Sequence, residues 1–139
     1  MKSLKVAALV LVSLVASISC TLTPNTFYLL CYKQDDLKCQ EAEREVNMAY
    51  EKLGKDPQYQ MIPKDQIPRM EVIECLQGQN RERCKGELGH NMHELMPPRI
   101  KIIPSEDNTK VYRYSSPIKA EFVLRKLMKF TVPVPVIPL

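Results

Sequence analysis

Cysteines are the most reactive side chains of this sequence, which contains five of them. Cys31 and Cys39 enclose the stretch CYKQDDLKC, which joins an apolar run to a helical pattern. A thiol near the start of a helix can be activated for exchange with disulfides, because the positive end of the helix stabilises its thiolate. The same cysteine can instead be half of a structural disulfide. The chemistry of this chain therefore depends on which of the two roles Cys39 has.

Residues 1–20 are predicted to be a secretory signal peptide. Lys2 and Lys5 precede a short apolar core, and small residues follow it before Cys20. This core is well short of the roughly 20 residues of a membrane-spanning helix. We therefore expect a secretory-pathway protein, secreted or held in the endoplasmic reticulum lumen, with no stable membrane insertion after signal removal. The lack of a Lys-Asp-Glu-Leu-like ending favours export.

The remainder is predicted to be one small domain, residues 21–130, followed by an extended Pro-rich tail at 131–139. Without Lys2 and Lys5 the chain has 18 basic and 16 acidic residues, a net charge of +2 instead of +4. No basic block with interleaved aromatic residues occurs, so nucleic acid is not an expected partner. Four cysteines in an oxidising compartment predict two disulfides, for which three pairings exist.

The apolar patterns predict alternating strands and helices. Residues 26–32 indicate a strand buried on both faces, and residues 37–53 indicate a helix that begins after an Asp cap. A second strand at 70–75 would then run parallel to the first through a right-handed crossover. The later elements are a polar helix at 80–96, strands at 99–103 and 109–114, and a last helix with Ser116 as its cap and Pro117 at its first position.

This order resembles the thioredoxin fold, and in detail the thioredoxin-like domains of the protein disulfide isomerase family, over roughly residues 26–130. YLLCYKQDDLKC at 28–39 is similar to the strand that leads into the family's Cys-x-x-Cys helix. PRIKII at 98–103 is similar to its cis-proline strand, and residues 112–130 to its last strand and terminal helix. The resemblance implies an α/β protein of minimal thioredoxin-like fold, with a central mixed sheet of about four strands flanked by helices.

The resemblance also implies where the active site lies and how it has changed. Asp36-Leu37-Lys38-Cys39 occupies the position of the Cys-x-x-Cys motif, so Asp36 replaces the nucleophile and Cys39 remains as the degenerate catalytic position. Leu30 replaces the family's buried acid, and Arg44 replaces a proline. Pro98 takes the cis-proline position. Cys75 and Cys84 resemble a structural pair of some secretory members.

The pairing of Cys31 with Cys39 and of Cys75 with Cys84 is the one we favour, the second pair because of the resemblance. A bridge between Cys31 and Cys75 is the alternative, because their strands are expected to be neighbours. No metal site or cofactor is expected. His90 and His93, with Glu87 and Glu94, have helical spacing, and we interpret them as a solvated helix face without a converging third ligand.

Together these features favour a redox-degenerate domain that binds or chaperones polypeptide, with Asp36, Pro97 and Pro98 as substrate-binding residues. Two alternatives are kept. One is an active thiol–disulfide oxidoreductase or isomerase that uses Cys39, alone or with Cys31. The other is a secreted, disulfide-stabilised effector of unrelated fold, which an all-helical structure would favour.

Overall fold

A computed structural model describes residues 22–86, 88–89 and 97–131 of the chain. The predicted signal peptide (1–20) and the tail beyond residue 131 lie outside the described residues. The strands are β1 (Thr26–Cys31), β2 (Arg69–Glu74), β3 (Arg99–Ile103) and β4 (Tyr112–Arg113). The helices are α1 (Leu37–Lys55), α2 (Pro57–Gln60), α3 (Gly78–Lys85) and α4 (Ala120–Phe130), with a 3-10 turn at Lys64–Gln66.

The four strands form one mixed sheet in the order β2-β1-β3-β4. β1 is parallel to β2 and antiparallel to β3, and β3 is antiparallel to β4. The α/β prediction of a four-stranded mixed sheet flanked by helices is therefore confirmed, as is the parallel pairing of the first two strands. The chain is not all-helical.

β1 is the central strand, and all six of its residues are buried. Its uninterrupted apolar sequence, TFYLLC, is typical of a strand covered on both faces. Because successive side chains point to opposite faces, the strand contributes to two separate apolar clusters. Phe27, Leu29 and Cys31 belong to the first cluster, whereas Tyr28 and Leu30 belong to the second.

The first cluster lies between the sheet and two helices, α1 and α4. Val46, Ala49 and Leu53 of α1 are buried at helical spacing, and they share the cluster with Val123 and Leu127 of α4. Complete burial of a side chain the size of valine or leucine contributes roughly 1.5–3 kcal/mol. This layer therefore holds most of the stabilising apolar contacts and fixes α1 and α4 on the same face of the sheet.

The second cluster is smaller and lies on the opposite face. It joins Tyr28 and Leu30 to Ile73 of β2, to Cys84 of α3 and to Leu88. The guanidinium of Arg83 lies 5.6 Å from the centre of the Tyr28 ring and also forms an ion pair of 3.7 Å with Glu71. This half-buried cation thus covers the aromatic ring at the solvent side of the cluster.

Three predicted elements have bounds that differ by more than two residues from those in the structure. The polar helix spans Gly78–Lys85, whereas residues 90–96 of the prediction lie outside the described residues. β4 has only two residues instead of six. The last helix begins at Ala120, after an extended Lys119, so the prediction that Ser116 caps it and that Pro117 is its first residue is wrong. The physical reason is a capping group from another helix, described below.

No helix in the described ranges has the length and apolar character that crossing a membrane requires.

Candidate functional site

Two disulfides each connect the end of a strand to the helix that follows it. Cys31 at the end of β1 is bonded to Cys39 in the first turn of α1, with a Cα–Cα distance of 5.7 Å. Cys75, directly after β2, is bonded to Cys84 in α3, with a Cα–Cα distance of 5.9 Å. The favoured pairing is therefore the one found. Such bridges are compatible with an extracellular or secretory-pathway location.

The alternative partners, Cys31 and Cys75, are indeed neighbours, because their strands are adjacent. They meet through the backbone rather than through sulfur: the Cys75 amide donates a 2.8 Å hydrogen bond to the Cys31 carbonyl. This contact extends the parallel β1–β2 pairing by one residue. It places both disulfides at the same end of the sheet.

Cys39 is completely buried, and so is its partner Cys31. Exchange of a disulfide requires a thiolate to approach one of its sulfurs, and in the folded domain neither sulfur is accessible to solvent. The four cysteines of the described residues all take part in disulfides. Chemistry at Cys39 would therefore require local opening of the first turn of α1.

Asp36, predicted to bind substrate, is the N-cap of α1. Its carboxylate accepts a hydrogen bond of 3.3 Å from the Lys38 amide, and its carbonyl accepts one of 3.0 Å from Gln40. An acidic N-cap satisfies amides that have no partner within the helix, and it interacts favourably with the helix dipole. Leu30 is buried in the second apolar cluster and cannot ionise.

A groove of about 520 Å³ runs beside the first turns of α1. α1 forms one wall, the segment 97–99 forms the second, and the segment 116–119 that precedes α4 forms the third. The lining residues are Lys38, Glu41, Ala42, Arg44, Glu45, Pro97, Pro98, Arg99, Ser116, Pro117, Ile118 and Lys119. We call this the α1 groove. Pro97 and Pro98 thus lie in it, whereas Asp36 and Cys39 are not part of its lining.

The proline wall of the α1 groove lacks backbone donors, because neither Pro97 nor Pro98 has an amide hydrogen. Among the described residues no peptide bond is cis, so the bond between Pro97 and Pro98 is trans. The expectation that Pro98 is a cis-proline, which the resemblance implied, is therefore wrong. β3 begins at the next residue, Arg99, and its antiparallel pairing with β1 fixes the position of this wall.

The third wall is held in place by two groups from distant parts of the fold. Tyr114, a buried residue of the first cluster, donates a 2.7 Å hydrogen bond from its hydroxyl to the Pro117 carbonyl. Glu45 of α1 accepts a 3.2 Å hydrogen bond from the Ala120 amide and lies 3.9 Å from the Lys119 ammonium. The Glu45 carboxylate therefore caps α4 from another helix, which explains why α4 begins at Ala120.

Charge is unevenly distributed around the α1 groove. Its lining contains four cations, Lys38, Arg44, Arg99 and Lys119, and two carboxylates, Glu41 and Glu45, a net charge of +2. One of the carboxylates is already engaged at the start of α4. Ile118 is half-buried and packs against the first apolar cluster. The groove therefore has a mildly cationic surface, and Pro97, Pro98 and Ile118 contribute apolar parts of its walls.

No three His, Cys, Asp or Glu side chains of the described residues are grouped so that they could hold a metal ion. His90 and His93, with Glu87 and Glu94, lie outside the described residues.

The chain matches no protein-family model, no curated protein and no solved structure.

The sequence predicted Pro97 and Pro98 as site residues, but it did not indicate that the segment 116–119 forms the third wall. Glu45 and Ala120 are 75 residues apart, so no local pattern indicates that one caps the other. The only local signal was the Ser115-Ser116-Pro117 stretch, which we interpreted as a helix start.

Replacing Glu45 with alanine is expected to lower the free energy of unfolding by about 1 kcal/mol, the usual effect of losing a helix cap. The ion pair with Lys119 contributes little of this, because the lysine side chain is mostly exposed. Urea unfolding followed by circular dichroism measures the change. Glu41→Ala, an exposed position one turn earlier on α1, is the control and should change the value by less than about 0.5 kcal/mol. Equal losses in both variants would contradict the capping role.

Tyr114 makes the stability of the domain sensitive to alkaline pH. Burial raises the pKa of Tyr114 from 10.0 to about 12. Because the folded protein favours the neutral phenol, its contribution to stability is fully present below pH 10 and is lost as the pH rises towards 12. Burial also raises the pKa of Tyr50, whose hydroxyl donates to the Pro68 carbonyl. Tyr114→Phe should therefore reduce the alkaline loss without abolishing it, in urea titrations at pH 9 to 12. An unchanged pH dependence would show that the Tyr114 hydroxyl is not the responsible group.

Proposed function

We propose that this protein is a thioredoxin-like domain of the secretory pathway, related in type to protein disulfide isomerase domains, that binds extended polypeptide in the α1 groove and does not catalyse dithiol exchange. The observation that carries the proposal is the groove itself. It lies beside the helix that follows the degenerate Asp36-to-Cys39 motif, and Pro97 and Pro98 form one of its walls.

The α1 groove suits an extended chain for two physical reasons. Its volume of about 520 Å³ is within the range of protein pockets that hold a drug-sized ligand. Its walls combine apolar surface from proline and isoleucine with charged groups at the rim, the arrangement by which protein surfaces bind apolar side chains while they orient a polar backbone. The third wall is held in place by Tyr114 and Glu45, so this side of the groove does not have to be assembled on binding.

The chemistry around Cys39 supports binding rather than catalysis. Asp36 cannot attack a disulfide, and the sulfur of Cys39 is buried and bonded to Cys31. Leu30 cannot move a proton. The helix start that would activate a thiolate is instead stabilised by the Asp36 carboxylate. The two buried disulfides and the basic, apolar N-terminal segment of the sequence support a site of action in an oxidising compartment.

Occlusion of the α1 groove tests the binding role. The chain contains no tryptophan, so a single introduced tryptophan both fills space and reports by fluorescence. Ser116→Trp places the bulky ring at a groove-lining position and should weaken binding of a reduced, carboxymethylated, permanently unfolded polypeptide by about tenfold or more, the effect of losing roughly 1.4 kcal/mol. Fluorescence anisotropy of a dye-labelled polypeptide measures the affinity of the variants and of the natural sequence alike.

Ser115→Trp is the matched control, because Ser115 is exposed, adjacent in sequence and absent from the lining. It should bind the polypeptide as the natural sequence does. If the two variants bind equally well, or if the unmodified protein binds no unfolded polypeptide, the α1 groove is not a polypeptide site.

The absence of dithiol catalysis has its own test. The protein should not accelerate the reduction of insulin by dithiothreitol, because both Cys31 and Cys39 are inaccessible in the folded state. Maleimide labelling after mild dithiothreitol treatment should likewise detect Cys31 and Cys39 only when a denaturant is added. Clear catalysis that disappears in a Cys39→Ala variant would instead establish the oxidoreductase alternative.

A further inference from the structure

Three cations lie together on one face of the sheet. Lys101 of β3 and Arg113 of β4 are directly opposite each other in the antiparallel register. Arg99 is two residues before Lys101, so its side chain is on the same face of β3. Neighbouring strands are about 4.8 Å apart and alternate residues about 7 Å apart, so one small anion can reach all three groups. We call Arg99, Lys101 and Arg113 the cationic ladder.

The neighbouring strands supply no counter-charge to the cationic ladder. Tyr28 lies opposite Lys101 and Leu30 lies opposite Arg99 on β1. In the row of paired residues that crosses the sheet through Lys101 and Tyr28, the nearest carboxylate belongs to Glu71 on β2. Glu71 is already paired with Arg83. Within the described residues the ion pairs are Arg83–Glu71 and Lys119–Glu45, and neither involves the ladder.

This arrangement is costly without a ligand, because like charges directly opposite each other on a sheet are destabilising. The crowding is visible at Lys101: burial, followed by the charges of Arg113 and Arg99, lowers the pKa of this amine. Arg113 is exposed, whereas Arg99 and Lys101 are half-buried, so the ladder is open to solvent on one side and partly desolvated on the other. Partial desolvation strengthens the attraction of an incoming anion.

From this geometry we infer that the cationic ladder is a binding site for a phosphate or sulfate group, with Arg99, Lys101 and Arg113 as its ligands. Arginine presents a planar set of donors that matches tetrahedral oxyanions, and lysine adds a point charge between the two guanidinium groups. A single carboxylate would neutralise less of the charge than a doubly charged oxyanion. Arg99 also lines the α1 groove, whereas Lys101 and Arg113 do not, so these two ligands distinguish the anion site from the polypeptide-binding role.

Titration with inorganic phosphate and inorganic sulfate tests the inference, with sodium chloride at matched ionic strength as the reference. Backbone amide NMR should show saturable shifts centred on residues 99–101 and 112–114. Arg113→Ala and Lys101→Ala should each weaken phosphate binding about tenfold, as expected for the loss of one charge-assisted hydrogen bond. Lys110→Ala, an exposed lysine of the preceding loop, should bind phosphate normally.

Further comparisons identify the source of the group and separate this site from the α1 groove. Phosphoserine and a sulfated disaccharide are titrated in parallel: tighter binding of an ester than of the free ions indicates an esterified ligand, and weaker binding indicates a free ion. Lys101→Ala and Arg113→Ala should leave polypeptide binding unchanged, because neither residue lines the α1 groove. The inference is overturned if chloride produces the same shifts as phosphate, or if Lys110→Ala weakens binding as much as Arg113→Ala.

Discussion

The backbone of β1 is hydrogen-bonded on both edges, to β2 on one side and to β3 on the other. This double pairing, with burial on both faces, is the constraint from which the other elements take their positions. The first face of β1 must be covered by α1 and α4, and the second face by α3 and Leu88. The α1 groove arises at the margin of the first layer, where α1, the start of β3 and the segment before α4 meet without filling the space between them.

Much of this arrangement was predictable because it depends on local sequence periodicity. The apolar run at 26–32, the spacing of Val46, Ala49 and Leu53, and the strand at 99–103 gave three elements with bounds within two residues of those observed. The failures occurred where a distant group decides a local structure. The start of α4 depends on Glu45, which is 75 residues away, and β4 shortens to the two residues that pair with Lys101 and Ile102. The disulfide pairing was favoured from sequence only with the help of a family resemblance.

The candidate site was predicted in part for the same reason. Pro97 and Pro98 could be placed by their position before β3, whereas the third wall required knowledge of tertiary contacts. The motif around Cys39 shows that a cysteine in the first turn of a helix can be inaccessible to solvent. Its location at a helix start suggests a reactive sulfur, but burial by the first apolar cluster and the bond to Cys31 make it part of the core. The Asp36 carboxylate caps this helix start.

The shared end of the sheet, where the Cys75 amide meets the Cys31 carbonyl, has a consequence for oxidative folding. The two disulfides lie on opposite faces of the sheet, because Cys31 and Cys39 belong to the first apolar cluster and Cys75 and Cys84 to the second. The formed sheet therefore separates the two pairs, and a wrong bridge can form only before the strands have paired. The correct bridges join residues 8 and 9 positions apart, whereas Cys31 and Cys75 are 44 apart (75 − 31). Closing the longer loop in the unfolded chain costs about 1.5 kcal/mol more. Each helix can thus be bonded to its own strand before the two strands pair. The short sequence separation of the correct partners therefore favours the native disulfides over a bridge between the strands.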